Sequence, residues 1–263
     1  MTTVEHTLLE PEVATDARSL RRTRDGRAHR YARPVAVAVT GYVCIAIALL
    51  GIGVLLTHAL SGSVGRWDEH VNEYFARRRS TVWNDGTRVA TSSFNTVPVI
   101  VTAALVVGFL ALRRRFREAI FLVLALVIEI TAFLSVTFVV ARPRPDVARL
   151  NSTPSTSSFP SGHTAAATVL FVGIAVIVAC CTSNLFARVA SSVLAAIVVC
   201  AVGFGRVYRG LHHPTDVFVG ALFGIACLVV AGMAIRAYDR RPASPSEGSP
   251  ERTRRRLDHA LAD

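Results

Sequence analysis

The sequence predicts an all-α integral membrane protein in which six helices form one bundle. Of its 263 residues 52% are apolar, and the mean hydropathy is +0.45. The apolar residues are gathered into nearly uncharged blocks, whereas a soluble core mixes them with polar residues. A bilayer core about 30 Å thick needs about 20 apolar residues per helix, and runs of this length argue against a large soluble helical protein. The six blocks cover roughly residues 35–60, 92–112, 119–140, 163–181, 188–205 and 214–235.

The first block follows a polar segment, residues 1–33, that carries seven arginines. This segment is too long and too charged for a cleaved signal peptide, so the sequence predicts a disordered cytosolic tail. Inside the block, Gly41, Gly51 and Gly53 would let a neighbouring helix approach closely.

The second and third blocks each contain one unusual feature. Asn95 and Pro98 interrupt the start of the second block, although proline is tolerated in a membrane helix where neighbouring groups satisfy the freed carbonyl. Glu129 lies near the middle of the third block, where an ionisable group is costly. Two interpretations of Glu129 stay open: a functional role, and a structural role as a protonated or internally paired group.

The last three blocks complete a predicted membrane domain over residues 34–237. In the sixth block Gly220 and Gly224 lie four residues apart, a spacing that favours close helix packing. The same spacing is weak evidence for a dimer, and the oligomeric state stays open. Residues 238–263 are rich in Pro, Ser and Arg, which predicts a second disordered cytosolic tail.

The basic residues orient the chain in the membrane. All 29 are arginines, and the formal net charge is +11. They lie in tails and short loops beside apolar blocks, as expected for topology signals, so a membrane lipid is the predicted partner and nucleic acid is not. The arginine-rich loop 113–118 and both tails are therefore predicted to be cytosolic. Loops 61–91, 141–162 and 206–213 then lie on the outer face of the plasma (inner) membrane, although the first of them contains the basic stretch "FARRRS".

The cysteines predict neither a disulfide nor a metal site. All five lie within predicted spans, where cysteine behaves as a small apolar residue, and their spacing fits no metal-ligand pattern. They are Cys44, Cys180, Cys181, Cys200 and Cys227.

Three polar segments that are distant in the sequence fall on the same predicted outer rim. They read "ARPRPDVARL" (141–150), "FPSGHT" (159–164) and "GRVYRGLHHPTD" (205–216). Guanidinium groups match the geometry of phosphate oxygens and stay charged, and the free amides at a helix start favour an anion. The rim is therefore predicted to hold phosphate. The candidate phosphate-binding residues are Arg142, Arg144, Arg206, Ser161 and Gly162.

Two histidines complete the predicted catalytic site. His212 and Asp216 are four residues apart at the start of the last block, so the carboxylate can accept one ring N–H and leave the other nitrogen free to attack phosphorus. His163 can then donate a proton to the leaving group. Asp216 also suits a helix cap, and the adjacent His213 is expected to be a solvated side chain. No metal or other cofactor is required, because arginines and amides stabilise the developing charge.

These residues resemble the signature of the type 2 phosphatidic acid phosphatases, a family related in site design to vanadium-dependent haloperoxidases. The signature is a Lys followed after six residues by Arg-Pro, then Pro-Ser-Gly-His, then Ser-Arg followed after five residues by His and after three more by Asp. Here Arg144-Pro145 matches the end of the first part, and residues 160–163 match the second. The third part is kept with Gly205 in place of Ser.

The resemblance covers roughly residues 85–235 and implies the six-helix fold of that family. It implies a phosphatase for a lipid phosphate or lipid pyrophosphate that acts through a phosphohistidine. In that mechanism His212 is the nucleophile, Asp216 orients it and His163 is the general acid. The family's Lys is replaced by Thr137, and the chain contains no Lys to take its place. Either Arg142 or Arg209 could supply the missing charge. The alternative is a weakly active or inactive membrane protein that binds or transports lipid phosphates.

Overall fold

The computed structural model describes residues 10–92, 95–151 and 156–239, with side chains from residue 31 onward except that of Thr96. Within these ranges every regular element is a helix. The α-helices are α1 (Glu10–Val54), α2 (Arg66–Arg77), α3 (Thr81–Ser92), α4 (Thr96–Leu112), α5 (Phe116–Thr137), α6 (Gly162–Ala167), α7 (Gly173–Cys181), α8 (Leu185–Tyr208) and α9 (Pro214–Asp239). Wider π-helical turns occur at Leu55–Ala59, Ser61–Gly65 and Thr168–Val172, the last of which joins α6 to α7.

The predicted helical membrane fold is confirmed. Five stretches are long and apolar enough to cross a bilayer: Tyr31–Ala59, Phe116–Thr137, Gly162–Cys181, Leu185–Tyr208 and Pro214–Asp239. A sixth span results if α3 and α4, which meet at a bend of 47°, are taken together. The bend falls where Asn95 and Pro98 interrupt the second apolar block. Asn95 is the extended residue before α4, and Pro98 lies in the first turn, where its missing N–H has no intrahelical partner to lose.

The chain divides into two compact units. One consists of residues 36–235, close to the predicted membrane domain, and the other combines residues 1–35 with 236–263. The structure is helical from Glu10, where the sequence predicts a disordered tail over residues 1–33; this stretch is rich in Ala, Arg and Glu, which are good helix formers. Residues 1–9 and residues 240–263 of the predicted C-terminal tail lie outside the described residues.

The core of the larger unit is built around α5 and α9. The buried side of α5 follows the helical repeat through Leu122, Ala125, Ala132 and Val136, each fully enclosed. On α9 Ala231 is enclosed in the same cluster. Many residues on the opposite faces of these helices are exposed and apolar, as expected for surfaces that meet lipid.

Two glycines let α9 pack closely against the α6–α7 span. A Cβ atom at Gly220 would lie 2.6 Å from the carbonyl oxygen of Ser161, and one at Gly224 would lie 2.7 Å from Cβ of Thr168. The small-residue pair in the sixth apolar block therefore serves contacts within the chain, and it fixes the start of α6 against the first turns of α9.

The glycines of the first span differ in their surroundings. A Cβ at Gly41 would lie 2.5 Å from Val230, and a Cβ at Gly53 would lie 2.7 Å from Val140. Gly51 has nothing within 4 Å. The predicted close packing is thus present at two of the three positions.

Helix α2, within a segment that the sequence predicts only as an outer loop, has an unusual distribution of side chains. Its buried side is polar, with Asp68 fully enclosed and Asn72 nearly so. Its aromatic residues Trp67 and Tyr74 are about half exposed. This pattern suits a helix at a membrane surface, with aromatic rings at the headgroups and polar groups directed into the protein.

Candidate phosphate-binding site

Backbone hydrogen bonds bring together the three polar segments of the predicted rim. The loop 141–150, the start of α6 and the turn between α8 and α9 contact one another directly. The links are Ser161 N–H to Asp216 O (3.1 Å), Ser158 N–H to Arg142 O (3.0 Å), Leu150 N–H to Arg209 O (3.2 Å) and an Arg144 Nη1 donor to Leu211 O (2.6 Å). Residues that are up to 74 positions apart in the sequence thus form one surface.

Arg206, in the last turn of α8, is a buried guanidinium group without a protein partner. The residue is only 6% exposed, and its side chain makes no hydrogen bond or ion pair with the described residues; its Nε is fully enclosed. The preceding residue, Gly205, lies against α3, where a Cβ would be 2.9 Å from Thr91 Oγ1. This contact explains a small residue at the position where the family signature has Ser. A buried cation without a counter-ion is costly, so the site is suited to an anion.

Arg144 combines a structural contact with a free donor. Its Nη1 donates to the carbonyl of Leu211 at 2.6 Å, whereas its Nε is enclosed and has no partner. Burial lowers the pKa of Arg144, and the positive charge of Arg149 lowers it further, while Asp216 opposes both effects. The guanidinium group remains charged at neutral pH because its ordinary pKa is above 12. Arg144 and Arg206 thus each have one buried N–H available for a ligand.

The start of α6 supplies backbone donors but is more tightly packed than the sequence predicts. The first backbone hydrogen bond of the helix is Ala165 N–H to Ser161 O at 3.0 Å, which leaves the preceding amides outside the helical ladder. The Ser161 hydroxyl is bonded to Thr164 Oγ1 at 2.9 Å. A Cβ at Gly162 would lie 2.8 Å from the ring of Phe133. Glycine is therefore required at residue 162 by the packing of α5, which is a different reason from the predicted approach of a ligand oxygen.

His212 is held by a backbone carbonyl. Its Nδ1 lies 2.6 Å from the oxygen of Ser158, and the side chain is almost fully buried. A carbonyl oxygen only accepts hydrogen bonds, so Nδ1 carries the hydrogen and Nε2 keeps a free lone pair. Burial lowers the pKa of His212 to about 3, and the positive charges of Arg206 and Arg144 add to the effect against the opposing charge of Asp216. The imidazole is therefore neutral at neutral pH, with the lone pair of Nε2 unprotonated.

Asp216 contacts the neighbouring histidine. Its Oδ2 accepts hydrogen bonds from the backbone N–H of His213 at 2.9 Å and from His213 Nδ1 at 3.2 Å. The distance from this oxygen to His212 Nδ1 is 4.0 Å. The sequence-based expectation that Asp216 accepts the ring N–H of His212 is thus corrected: Ser158 O takes that role, because the turn before α9 directs the ring of His212 toward it. His213, expected to be solvated, is buried.

His163 lies in the first turn of α6 and is half buried. Within the described part of the chain its ring makes no hydrogen bond. The charges of Arg206, His212 and Arg144 all act on it, which groups the two predicted catalytic histidines with the guanidinium groups of Arg144 and Arg206. The four side chains form the candidate site. No cluster of His, Cys, Asp and Glu suited to a metal ion occurs among the residues described.

A family model described as the PAP2 superfamily matches residues 118–239, the region that contains all four of these side chains. Residues 118–239 are thus similar to the PAP2 superfamily. One solved structure with a similar fold is that of a transmembrane PAP2-type phosphatidylglycerolphosphate phosphatase from Bacillus subtilis, with a TM-score of 0.55 at 21% identity over 79% of this chain and 96% of the other. Another is LpxE from Aquifex aeolicus, with a TM-score of 0.50 at 24% identity over 62% of this chain and 93% of the other. At such identities the likeness establishes the fold. No curated protein sequence gives a significant match.

Within the matched segment Arg142 does not have the free donors predicted for a phosphate ligand. Its Nη2 donates to Asp68 Oδ2 at 2.7 Å, and its Nη1 donates to Asp216 Oδ1 and, at 2.8 Å, to Thr215 Oγ1. The residue is 5% exposed. Two carboxylates thus hold the guanidinium group inside the protein, which corrects the expectation that it binds substrate directly.

Thr137 occupies the position of the PAP2-family Lys. It is buried, and its hydroxyl lies 3.4 Å from the carbonyl oxygen of Phe159, two residues before Ser161. The side chain at 137 therefore faces the Pro-Ser-Gly-His segment, as a phosphate-directed Lys would require. Arg142 does not replace the missing charge, since it is paired with carboxylates. Arg209 is also engaged, through Asn84, Thr87, Leu150 and Asn151.

Glu129 lies away from the rim, in the middle of α5. It is 5% exposed and is surrounded by the apolar core cluster that includes Ile128, Ala132 and Cys227. No ion pair of Glu129 occurs among the described residues. Its surroundings favour the structural interpretation of this carboxyl group.

Proposed function

We propose that this protein is a membrane-embedded, metal-independent phosphatase that hydrolyses a lipid phosphate or lipid pyrophosphate. The observation that carries the proposal is the pair of buried, unpartnered guanidinium N–H groups of Arg206 and Arg144 beside a neutral histidine. An anion supplies the hydrogen-bond acceptors that these donors lack. The similarity of the matched segment to the PAP2 superfamily supports phosphate as that anion.

The catalytic cycle follows from the tautomer of His212. In the first step Nε2 attacks phosphorus, an N–P bond forms, the ester P–O bond breaks, and His163 transfers a proton to the departing lipid oxygen. In the second step water attacks phosphorus, the N–P bond breaks, and the water proton returns to His163. The hydrogen bond from Nδ1 to Ser158 O keeps the ring oriented, and Asp216 at 4.0 Å stabilises the positive charge on the phosphorylated ring.

The phosphate ligands have distinct roles in this proposal. Arg144 and Arg206 provide charged donors, and the amides at Ser161 and Gly162 lie at the positive end of a helix. All these groups are fixed before substrate binds, so little reorganisation is needed in the transition state.

The proposed substrates are lipids because the site lies at the ends of membrane-spanning helices. A headgroup can enter the rim while its tails remain in the bilayer. The Bacillus subtilis structure is that of a phosphatidylglycerolphosphate phosphatase, which makes phosphatidylglycerol phosphate the first lipid to test, beside phosphatidic acid and a polyprenyl pyrophosphate. We further propose that both termini are cytosolic and that the site opens at the outer leaflet of the plasma membrane. An epitope tag after Asp263 should then resist protease in intact spheroplasts.

The function is tested with purified protein in detergent and excess chelator. Wild type is expected to release inorganic phosphate from at least one of these lipids, and acid-labile, base-stable phosphate should be trapped on the protein. His212→Asn is expected to abolish both signals, whereas His58→Asn, at an exposed histidine, should leave them unchanged. Equal release of inorganic phosphate by wild type and His212→Asn would refute the proposed phosphatase activity.

The alternative is a protein that binds or transports lipid phosphates with little turnover. It is favoured by one observation: Thr137 provides no charged donor at the family's Lys position. In that case wild type and His212→Asn would bind a lipid phosphate with equal affinity and release no phosphate.

A further inference from the structure

Asp68 is a buried carboxylate that belongs to none of the signature segments and lies outside the matched PAP2 region. It is fully enclosed on the inner side of α2. Its Oδ1 accepts from the backbone N–H of Thr215 at 3.1 Å, and its Oδ2 accepts from Thr215 Oγ1 at 2.5 Å and from Arg142 Nη2 at 2.7 Å. Two hydrogen bonds thus join α2 to the first turn of α9, and a third joins α2 to Arg142 in the loop after α5.

The same guanidinium group connects Asp68 to the catalytic turn. Arg142 donates through Nη2 to Asp68 and through Nη1 to Asp216. Asp216 in turn accepts from the backbone N–H of His213, the residue that follows His212. Any movement of Arg142 is therefore transmitted to the turn that carries the proposed nucleophile.

The charges in this group differ from those of a simple ion pair. One guanidinium cation lies between two carboxylates, so Asp68, Arg142 and Asp216 together carry a formal charge of about −1 at neutral pH. Without the carboxylate at residue 68, Arg142 would neutralise Asp216 fully. The shared arrangement leaves negative potential at Asp216, on the side that faces the histidines.

A purely structural role would not require a buried guanidinium group between two carboxylates. Buried ion pairs contribute little stability compared with apolar residues of similar volume, and the neighbouring core of this protein is apolar. The polar group is better explained by the geometry that it imposes on the start of α9.

We propose that Asp68 is a positioning residue of the phosphatase site, which through Arg142 and Thr215 fixes Asp216 and the turn containing His212. This inference rests on the proposed phosphatase function. It assigns to α2, which the family match does not include, a direct part in the organisation of the site.

The test compares Asp68→Asn with Glu73→Gln in the full-length protein. Asn has nearly the size of Asp and still accepts a hydrogen bond from Thr215 N–H, but it lacks the charge. Glu73 lies on the same helix in an exposed pair with Arg77. Asp68→Asn is expected to lower kcat for a short-chain lipid phosphate by about 10- to 100-fold, as small misplacements of catalytic groups do, with KM changed less than about threefold. Glu73→Gln should match wild type.

A second measurement does not depend on turnover. Hydrogen exchange of peptides covering residues 209–218 is expected to be faster in Asp68→Asn than in wild type and Glu73→Gln. The reason is that Arg142 loses its charged partner on α2, so Asp216, the acceptor of the His213 amide, is held less firmly and the turn opens more often. Thr215→Val, which removes the hydroxyl contacts to Asp68 and Arg142 but keeps the charge of Asp68, should fall between them and serves if Asp68→Asn does not fold.

The outcomes separate the two proposals. Unchanged kcat in Asp68→Asn, or unchanged exchange in residues 209–218, would overturn the positioning role. If wild-type protein releases no phosphate from any lipid, the proposed function fails, and the catalytic part of this inference fails with it. Hydrogen exchange then still decides whether Asp68 holds the turn.

Discussion

Replacement of Arg206 by Met is expected to stabilise the protein while it abolishes activity. The reason is the contrast with Arg209, three residues later in the sequence. Both arginines are buried, with exposures of 6% and 3%. The side chain of Arg209 donates to Asn84, Thr87, Leu150 and Asn151, whereas the side chain of Arg206 makes no hydrogen bond to any described residue. Hydrogen-bond partners therefore compensate the burial of the Arg209 charge, whereas no described partner compensates that of Arg206.

The expected changes in stability follow from this difference in hydrogen-bond partners. An uncompensated buried charge costs several kcal/mol, and its replacement by an apolar side chain of similar volume stabilises by about 1–3 kcal/mol. Arg209→Met removes four hydrogen bonds worth about 0.5–1.5 kcal/mol each and leaves their acceptors unsatisfied, so a loss of about 2–4 kcal/mol is expected. At roughly 3 °C per kcal/mol for a protein of this size, the Tm rises by about 3–9 °C in the first variant and falls by about 6–12 °C in the second.

The assay is thermal unfolding in detergent, followed by intrinsic fluorescence with and without inorganic phosphate. Phosphate should raise the Tm of wild type by mass action and leave Arg206→Met unchanged. In parallel, the loss of one charged transition-state donor should lower kcat of Arg206→Met by about 10²- to 10³-fold.

The sign of the Tm change is decisive. If Arg206→Met lowers the Tm as Arg209→Met does, the guanidinium group has protein partners that support the fold. If phosphate stabilises Arg206→Met as much as wild type, the anion binds elsewhere. Either result would refute the reasoning from an unpartnered cation to a phosphate pocket.

Four further predictions concern His212, Thr137 and the two tryptophans. Because burial lowers the pKa of His212 to about 3, protonation of this ring should not reduce kcat/KM until the pH falls to about 4. A decrease in kcat/KM centred at about pH 6.5 would mean that the ring is solvated. Between about pH 6.5, the ordinary pKa of His in the unfolded chain, and about pH 3, the pKa of His212 in the folded protein, the unfolded protein binds a proton at His212 that the folded protein does not. The Tm should therefore fall as the pH drops through this window, less so in His212→Asn, and equal slopes would contradict the buried neutral ring. Thr137→Lys should raise kcat/KM for a lipid pyrophosphate more than for a monophosphate; an equal or opposite change would show that the ammonium does not reach the ligand. Trp67 and Trp83, the two tryptophans of the chain, should be quenched most by lipids brominated near the headgroup, and strongest quenching from the bilayer centre would exclude α2 and α3 from the interface.

The membrane fold could be predicted because its signal is local. The spans are long runs with few charged residues, and the 47° bend between α3 and α4 falls where Asn95 and Pro98 break the second run. Helices α2 and α3 could not be recognised in the same way. They are short, and α2 buries Asp68 while it exposes Trp67, which reverses the pattern of a soluble amphipathic helix.

The candidate site was predictable to the extent that it depends on spacing. The signature identifies Arg144, Arg206 and His212, and the structure brings them into one electrostatic cluster. Hydrogen-bond partners were not predictable, because they come from elsewhere in the chain or from the backbone. The i, i+4 spacing of His212 and Asp216 predicted a direct bond, yet a carbonyl 54 residues away in sequence holds the ring.

The charge balance of the site explains how the domain can lack the family's Lys. A phosphate monoester carries a charge of about −1.5 to −2 at neutral pH, and Arg144 and Arg206 bring about +2 to it. Arg142 adds nothing to this sum because Asp68 and Asp216 already neutralise it. A third cation at residue 137 would raise the positive charge of the site above the negative charge of a monoester. It would not exceed the negative charge of a pyrophosphate, which carries at least one further negative charge. If the proposed function holds, Thr137 leaves the site matched in charge to a monophosphate headgroup, and we expect it to prefer lipid monophosphates over pyrophosphates.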